Sequence, residues 1–300
     1  MPGHVPVMKE EVIRLLSVER GGVIVDGTVG DGGHAAAILK ASGPGGILVG
    51  VDLDPDALAR ARGNLSPWEG RFELVRGDFA DLPALIPDRL PARSVLLDLG
   101  VNSSTLADAQ RGFSFSVDGP LDMRMDPGGE RTAADLVNRL PVKDLEGLFR
   151  EFGEERYARR IARRIVEARS QKPLKRTGRL ADIITRAVPR RSRIHPATRA
   201  FQALRIAVNG ELERLERFLE GLPGLLEPDG RAVVVSFHSL EDRRVKRAFR
   251  EGARRGAWEN LTPKPLTPSR EEIGENPRSR SAKLRAVRRI EETGCGDGSG

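Results

Sequence analysis

Short apolar runs alternate with helix-like segments along the first hundred residues, which is the pattern of a parallel sheet with helical crossovers. The runs predict four strands, at 23–29, 47–53, 72–75 and 94–99, with helices at 35–41 and 56–64. Pro55 suits the first turn of the second helix because an N–H would have no partner there. The chain therefore begins as an α/β domain.

A different pattern begins near residue 108. Apolar residues spaced three and four apart predict an amphipathic helix. They are Leu145, Leu148, Phe149 and Phe152. A basic run follows from Arg156 to Arg169. We interpret 108–195 as an inserted helical domain that recognises the substrate.

Sheet-like sequence returns in the last third of the chain. The pattern predicts a long helix at 197–219, a turn at 227–230, strands at 232–237 and 282–290, a long loop at 256–281 and a disordered tail at 293–300. The predicted fold class is therefore α/β, a doubly wound sheet. Its domain is discontinuous, comprising 1–107 and 196–292.

Composition excludes several classes of protein. The 300 residues are 39% hydrophobic and 31% charged, and no apolar run approaches the roughly 20 residues that cross a bilayer. The N-terminus lacks the layout of a signal peptide. Cys295 is the only cysteine, so a disulfide framework and a cysteine-based metal site are excluded. We expect a cytoplasmic protein.

The net charge of +7 is unevenly distributed. Residues 1–100 carry 10 basic and 14 acidic side chains, whereas 150–199 carry 16 and 5, and 243–290 carry 15 and 5. Such basic blocks attract polyanions and favour a nucleic-acid partner. Arginines such as Arg159 and Arg160 also fit the solvated face of an ordinary helix.

A glycine-rich segment, DGTVGDGGH at 26–34, joins the first strand to the first helix. Gly30, Gly32 and Ala35 match the G-x-G-x-x-G/A fingerprint of dinucleotide folds. Asp52 follows at the distance of the acid that binds ribose hydroxyls. A dinucleotide would place its pyrophosphate at the helix N-terminus, where the carboxylate of Asp31 is unfavourable.

A cationic cofactor is compatible with these carboxylates. S-adenosylmethionine carries a sulfonium and an ammonium group, which Asp26 and Asp31 would attract. Asp78 and Phe79 end the third strand, where an acid, a backbone amide and a ring can bind adenine. The charges favour the methyl donor, and a dinucleotide-dependent oxidoreductase is the alternative.

Seven segments together resemble one family, the bacterial small-subunit ribosomal RNA cytosine-N4 methyltransferases of type H, also called MraW or RsmH. They are HVPVM at 4–8, DGTVGDGGH at 26–34, LDLGV at 97–101, RGFSF at 111–115, HPATR at 195–199, SFHSLEDR at 236–243 and NPRSRSAKLR at 276–285. The resemblance runs in order from His4 to about Ile290. It implies a class I methyltransferase sheet with an inserted helical domain.

The resemblance also implies the activity. The family uses S-adenosylmethionine to methylate the exocyclic N4 amine of a cytosine in the decoding region of 16S ribosomal RNA. The expected partner is therefore small-subunit ribosomal RNA, either free or within the assembled subunit, with no membrane and no metal. The resemblance leaves open whether the protein is a monomer or a homodimer. A non-enzymatic RNA-binding assembly factor is a second alternative.

Matching positions supply the expected cofactor-binding residues, which are Gly32, Gly33, His34, Asp52, Phe79 and Asp98. One departure concerns the segment after the fourth strand. Many relatives have Ser-Ser-Pro-Gln there, whereas this chain has Asn102-Ser103-Ser104-Thr105. Thr105 is therefore left out of the assigned site.

An exocyclic cytosine amine is a poor nucleophile because its lone pair is delocalised into the ring. An acceptor at the end of the fourth strand could hold its hydrogens and take a proton. Asp98 is the candidate catalytic residue, in a position similar to the acid of amino methyltransferases. Phe113, Phe115 and Phe237 are candidates for holding a flipped base, or for core packing.

The histidines do not predict a metal site. His34, His195 and His238 lie in separate motifs, and lone histidines more often cap helices or form structural hydrogen bonds. His238 follows the end of a predicted strand, where sheet ligands bind. A substrate contact and a structural role both remain open for it.

Overall fold

The computed structural model describes residues 6–189 and 195–290. His4, Cys295 and the tail predicted at 293–300 lie outside the described residues. The strands are β1 (Gly22–Asp26), β2 (Gly46–Asp52), β3 (Phe72–Arg76), β4 (Ala92–Asp98), β5 (Leu226–Ser236), β6 (Trp258–Asn260) and β7 (Lys283–Arg289). They form one sheet in the order β3-β2-β1-β4-β5-β7-β6.

Strands β1 to β5 are parallel, whereas β7 runs antiparallel to both β5 and β6. The chain moves outward from β1 to β3 and then returns to place β4 on the other side of β1. This reversal makes the carboxyl ends of β1 and β4 the topological switch point, where open α/β sheets bind their ligands. The predicted doubly wound α/β fold is confirmed.

The helices are α1 (Lys9–Leu16), α2 (Gly33–Ala41), α3 (Pro55–Leu65), α4 (Leu82–Leu85), α5 (Ser103–Ala107), α6 (Ala133–Arg139), α7 (Val142–Glu151), α8 (Ala158–Gln171), α9 (Thr177–Ala187), α10 (Thr198–Asn209), α11 (Glu211–Leu225), α12 (Ser239–Arg254) and α13 (Arg270–Glu275). None of the helices formed by the described residues is both long and apolar enough to span a membrane.

The sheet is buried on both faces because successive strand residues point to opposite sides. Val25 of β1 packs in one cluster with residues of α4, α11 and α12. Its neighbour Ile24 packs in the other cluster, with residues of α1, α2 and α3. The apolar runs that predicted the strands reflect this burial of both faces of the sheet.

The chain divides into two compact units, one formed by 1–100 and 213–300 and the other by 101–212. The second unit has its own core, in which Phe149 of α7, Ile161 of α8 and Leu204 of α10 are buried together. The sequence pattern placed the bounds of the insertion at 108 and 195. Helix α10 belongs to the helical unit because its apolar face joins that core.

The prediction of one long helix at 197–219 is wrong. Gly210 adopts a left-handed conformation, with φ of 59°, and ends α10 before α11 begins. A glycine readily adopts this conformation after the last helical turn. Apolar periodicity continues across such a break, so the pattern alone joined two helices into one.

Two further predictions differ from the structure. Residues 227–230 do not precede β5 but form a bulge inside it, between the pairs Ala92–Leu226 and Ser94–Arg231. The loop predicted at 256–281 contains β6 and α13. Strand β6 has only three residues, and its pairing with the distant β7 is a tertiary contact that no local pattern reveals.

Candidate active site

Three carboxylates mark the carboxyl ends of neighbouring parallel strands. Asp26 ends β1, Asp52 ends β2 and Asp98 ends β4. Parallel pairing brings these ends to one edge of the sheet, at the topological switch point. The structure therefore gathers three acids that are far apart in the sequence.

The glycine loop between β1 and α2 has a backbone that side chains would obstruct. Gly30 and Gly32 have φ of 52° and 85°, in the region that favours glycine. A Cβ atom on Gly32 would lie 3.3 Å from the Cα atom of Ala61. The Gly32 N–H donates to the carbonyl of Val29 at 2.8 Å. The loop is thus held tightly against the sheet unit.

Asp52 organises this loop. One carboxylate oxygen accepts from the N–H of Gly30 at 2.8 Å, and the other accepts from the N–H of Asp54 at 3.0 Å. Burial raises the pKa of the Asp52 carboxyl despite these hydrogen bonds. Each oxygen keeps a lone pair that a ribose hydroxyl could use.

Asp26 is the most deeply buried of the three acids, with 1% of its surface exposed. Its carboxylate accepts from the N–H of Thr28 at 3.1 Å. Burial raises the pKa of Asp26 to about 7, and the nearby carboxylates of Asp98 and Asp52 add to this effect. A bound cation at this edge of the sheet would favour the ionised form.

His34 and Asp98 form the centre of the site. The Nε2 atom of His34 lies 3.5 Å from Oδ2 of Asp98, and the histidine is 5% exposed. Among the described residues, neither ring nitrogen of His34 nor Oδ1 of Asp98 has a hydrogen-bond partner. The amide of Asp98 donates to the Thr28 hydroxyl at 2.7 Å, which fixes the end of β4 to the loop.

The surroundings of Asp31 differ from the expectation that its carboxylate attracts a cationic cofactor. Its carboxylate forms an ion pair with Arg60 of α3, with Nε and Oδ1 2.8 Å apart. Its carbonyl accepts from the side-chain amide of Asn64 at 2.8 Å. The charge of Asp31 is therefore balanced within the protein, and the attraction for a cationic ligand falls to the acids at the strand ends.

Phe79 lies where the sequence placed it, directly after β3. A Cβ atom on Gly27 would lie 3.0 Å from the Cβ atom of Phe79, so this residue borders the start of the glycine loop. The ring packs edge-on against Phe218 with centroids 5.9 Å apart. Asp78 caps the following turn and pairs with Arg214 at 2.9 Å. The acid beside Phe79 is thus occupied by structural contacts.

The segment after β4 is shaped by a helix cap. The side chain of Asn102 accepts from the N–H of Thr105 at 2.7 Å and begins α5. Thr105 is 5% exposed. Asn102 therefore has a structural role as the cap of α5.

His238 caps helix α12. Its Nδ1 atom accepts from the N–H of Glu241 at 3.4 Å, and the carboxylate of Glu241 accepts in return from the amides of Phe237 and His238 at 2.9 and 3.2 Å. This reciprocal capping box fixes the turn after β5. The structural role considered for His238 is therefore present.

The candidate aromatic residues are in different environments. Phe113 is 7% exposed and belongs to the core of the helical unit. Phe115 stacks on His195 with centroids 4.5 Å apart and meets Phe201 edge-on. In the sheet unit, Phe237 is half-buried beside Gly100. Core packing explains Phe113 best.

Two residues of the site were missing from the expected set. Asp26 was considered for its charge but not assigned, although an acid at the end of a buried strand before a glycine loop is a usable signal. Thr28 holds the amide of Asp98 through its hydroxyl. No local pattern could indicate that contact, because the two residues are 70 positions apart.

The arrangement fits a ligand that carries both signs of charge. Helix α2 begins at Gly33 without a side-chain cap, so its first N–H groups can bind a carboxylate. The carboxylates of Asp26, Asp52 and Asp98 at the strand ends can attract the positive groups of such a ligand. A dinucleotide would instead bring its pyrophosphate beside three strand-end acids. Fold and site together define a class I S-adenosylmethionine-dependent methyltransferase.

Comparison with known proteins agrees with this class. Residues 1–290 match the model of the MraW methylase family. Ribosomal RNA small subunit methyltransferase H from Syntrophobacter fumaroxidans is 53% identical, with 95% of each chain covered. The enzyme of the same name from Pelobacter propionicus is 50% identical, with 96% of this chain and 98% of the relative covered. The chain belongs to the MraW methylase family.

A solved structure gives a weaker likeness. An rRNA methylase from Streptococcus thermophilus aligns with a TM-score of 0.40 and 12% identity, covering 94% of each chain. Family membership therefore rests on the sequence matches, and S-adenosylmethionine is the methyl donor of this enzyme.

Proposed function

We propose that this enzyme methylates the exocyclic N4 amine of a cytosine in the decoding region of small-subunit ribosomal RNA, in the cytoplasm. The names of its relatives support ribosomal RNA of the small subunit as the substrate. The buried oxygen of Asp98 that lacks a hydrogen-bond partner among the described residues supports an amine as the acceptor.

S-adenosylmethionine supplies an electrophilic methyl group when it is bound. Gly32, Gly33 and His34 would hold its methionine part, Asp52 its ribose and Phe79 its adenine. Of these residues, Asp52 and His34 also shape the site without the cofactor, through the loop hydrogen bond and the contact with Asp98.

Asp98 has two tasks in this reaction. Its carboxylate accepts a hydrogen bond from the amine, which orients the nitrogen and increases its nucleophilicity. As the N–C bond formed and the sulfur–methyl bond of the donor broke, S-adenosylhomocysteine would leave as a neutral thioether, the nitrogen would become positive, and Asp98 would accept one of its protons. The new product is a neutral secondary amine. The Nε2 atom of His34 lies 3.5 Å from the other carboxylate oxygen and borders Asp98 on that side.

The test is nucleoside mass spectrometry of small-subunit ribosomal RNA incubated with the purified protein and S-adenosylmethionine. We expect N4-methylcytidine as the product. Asp98→Asn should lower turnover about 100-fold or more, the usual contribution of a positioned acid or base, because the amide cannot accept the proton. The exposed Asp88 offers a matched control, and Asp88→Asn should keep wild-type turnover.

Other outcomes would identify which part of the proposed function is wrong. Methylation at a carbon or a ribose oxygen would contradict the amine assignment. RNA binding without methyl transfer would favour the assembly-factor alternative. Near-normal turnover of Asp98→Asn with unchanged cofactor affinity would exclude the role given to Asp98.

A further inference from the structure

Helix α8 of the helical unit carries a dense group of arginines on its solvent side. Arg159, Arg160, Arg163 and Arg164 are exposed, while Ile161 and Ile165 of the same helix are buried. At 3.6 residues per turn, the four arginines fall within a sector of about 140° opposite the apolar residues. We call these four residues the α8 arginine stripe.

The stripe borders a shallow, open depression. An open depression of about 640 Å³ is lined by the stripe together with Arg156, Tyr157 and Glu167. The guanidinium of Arg156 lies over the ring of Tyr157 at 5.9 Å, which orders one end of the depression. Five arginines thus lie around one open region of the surface.

Most of this charge is not balanced by the protein. Arg164 pairs with Glu167 at 2.8 Å, but Arg159, Arg160 and Arg163 have no ion pair among residues 6–189 and 195–290. Exposed arginines on neighbouring helices behave differently. Arg139 pairs with Asp135 on α6, and Arg150 of α7 pairs in the same way with Glu146.

The spacing of the stripe is unfavourable for an isolated helix. Arg159 and Arg163, and likewise Arg160 and Arg164, are four positions apart, where like charges destabilise a helix by about 0.2–0.5 kcal/mol per pair. An acid at either position would stabilise α8 instead, as in α6 and α7. A bound polyanion would turn this repulsion into attraction.

We infer that the α8 arginine stripe binds the phosphate backbone of the substrate RNA, a role that rests on the proposed function. The planar guanidinium groups can contact phosphate oxygens with two hydrogen bonds each. The stripe extends over about 8 Å of helix, so it contacts a short backbone segment. These contacts hold the RNA without reading its bases.

The same surface is poorly suited to a lipid bilayer. An interfacial helix needs exposed apolar residues beside its basic face. The apolar face of α8 is instead buried in the core of the helical unit, with Ile161 and Ile165 fully covered. Tyr157 is only half-buried, and one ring cannot anchor a helix.

The test compares two double variants of the full chain. Arg160→Ala with Arg163→Ala removes two unpaired arginines of the stripe. Arg139→Ala with Arg150→Ala removes the same charge from the same unit, but from arginines that already have acidic partners. Binding of a small-subunit ribosomal RNA transcript is measured at several salt concentrations, and circular dichroism checks that both variants are folded.

We expect the stripe variant to bind the transcript about tenfold more weakly near 0.15 M salt, and its slope of log K against log salt to be smaller by about 1.4. The KM for RNA should rise about tenfold while kcat stays within twofold, because contacts to phosphates bind the RNA and take no part in the methyl transfer. The control variant should differ from wild type by less than twofold in all of these quantities.

Two results would overturn the inference while the proposed function stands. The first is wild-type affinity and salt slope in the stripe variant, with the wild-type protein still methylating the transcript. The second is loss of binding to phosphatidylserine vesicles with RNA binding unchanged. If the wild-type protein neither binds nor methylates the transcript, the proposed function fails and the inference fails with it.

Discussion

Individual carboxylates of this protein differ in ionisation because their surroundings differ. Asp26 is almost fully buried, and among the described residues its carboxylate accepts one hydrogen bond, from Thr28, to offset the loss of water. The exposed carboxylate of Asp118 accepts from Gly178 and from Arg176, and these hydrogen bonds lower its pKa. Burial without sufficient donors is therefore the property that sets Asp26 apart.

This difference predicts a pH-dependent stability. Burial raises the pKa of Asp26 from 3.8 to about 7, so between these values the unfolded chain releases a proton that the folded chain retains. The free energy of unfolding therefore falls as pH rises through this window and levels off above about pH 7. The Asp26→Asn variant has no titratable group at this position, so its free energy of unfolding does not fall for this reason.

In the absence of ligand, the free energy of unfolding of Asp26→Asn minus that of wild type should be about 3 kcal/mol larger at pH 8 than at pH 5. Urea denaturation of both proteins at the two pH values measures this difference. Asp88→Asn, at an exposed position, is expected to show no such change. An equal difference at both pH values would mean that Asp26 is ionised in the folded chain throughout.

Residue identity alone could suggest these acids but not their roles. Asp52 and Asp98 could be assigned because each ends a recognisable strand. The neutralisation of Asp31 by Arg60 could not be anticipated, since the pairing depends on how α3 packs against the loop. Charge counted along the sequence therefore overstated the attraction of this loop for a cation.

At the level of elements, the loop between β1 and α2 depends on glycine for two separate reasons. Gly32 needs a positive φ, and its Cα lies so close to α3 that a Cβ would approach the backbone of Ala61. Gly43 also has a positive φ, of 60°, but a Cβ there would meet no atom within 4 Å. Substitutions at Gly32 and Gly43 can therefore separate the effect of backbone strain from the effect of the close approach to α3.

We expect Gly32→Ala to lower the affinity for S-adenosylhomocysteine at least about tenfold, because the loop must move away from α3. Gly43→Ala should cost about 1 kcal/mol of stability and leave the affinity within twofold of wild type. Isothermal titration calorimetry and thermal denaturation measure the two effects. Wild-type affinity in Gly32→Ala would show that the loop does not contact the cofactor.

Strands were the elements best predicted from sequence. The predicted bounds of β1 to β4 differ from the structure by at most three residues, because each strand contains an apolar run that packs against the helices covering the sheet. Helix ends were harder. The break at Gly210 depends on the conformation of a single residue, which apolar periodicity does not record.

For the whole molecule, the main alternative was a dinucleotide-dependent oxidoreductase. The sheet order at the switch point is common to both classes, so the ligand separates them. S-adenosylhomocysteine should bind with one site per chain and raise the thermal midpoint, whereas NAD should do neither. Titration and thermal denaturation with each compound measure this, and saturable binding of NAD would contradict the class.

The division of labour between the two units is also a property of the whole chain. The basic block at 150–199 lies largely in the helical unit, and residues 1–100, with 10 basic and 14 acidic side chains, lie in the sheet unit. We predict that the sheet unit binds the cofactor and that the helical unit recognises the substrate.

The sequence by itself determined the α/β class, the glycine loop, the strand-end acids and the family. These follow from local periodicity and from motifs whose residues are adjacent. Only the tertiary structure decided that Arg60 neutralises Asp31 and that His34 faces Asp98. It likewise decided that Arg159, Arg160 and Arg163 of α8 lack acidic partners among the described residues. Such pairings depend on which distant side chains packing brings within a few ångströms, and one-dimensional patterns carry no distances.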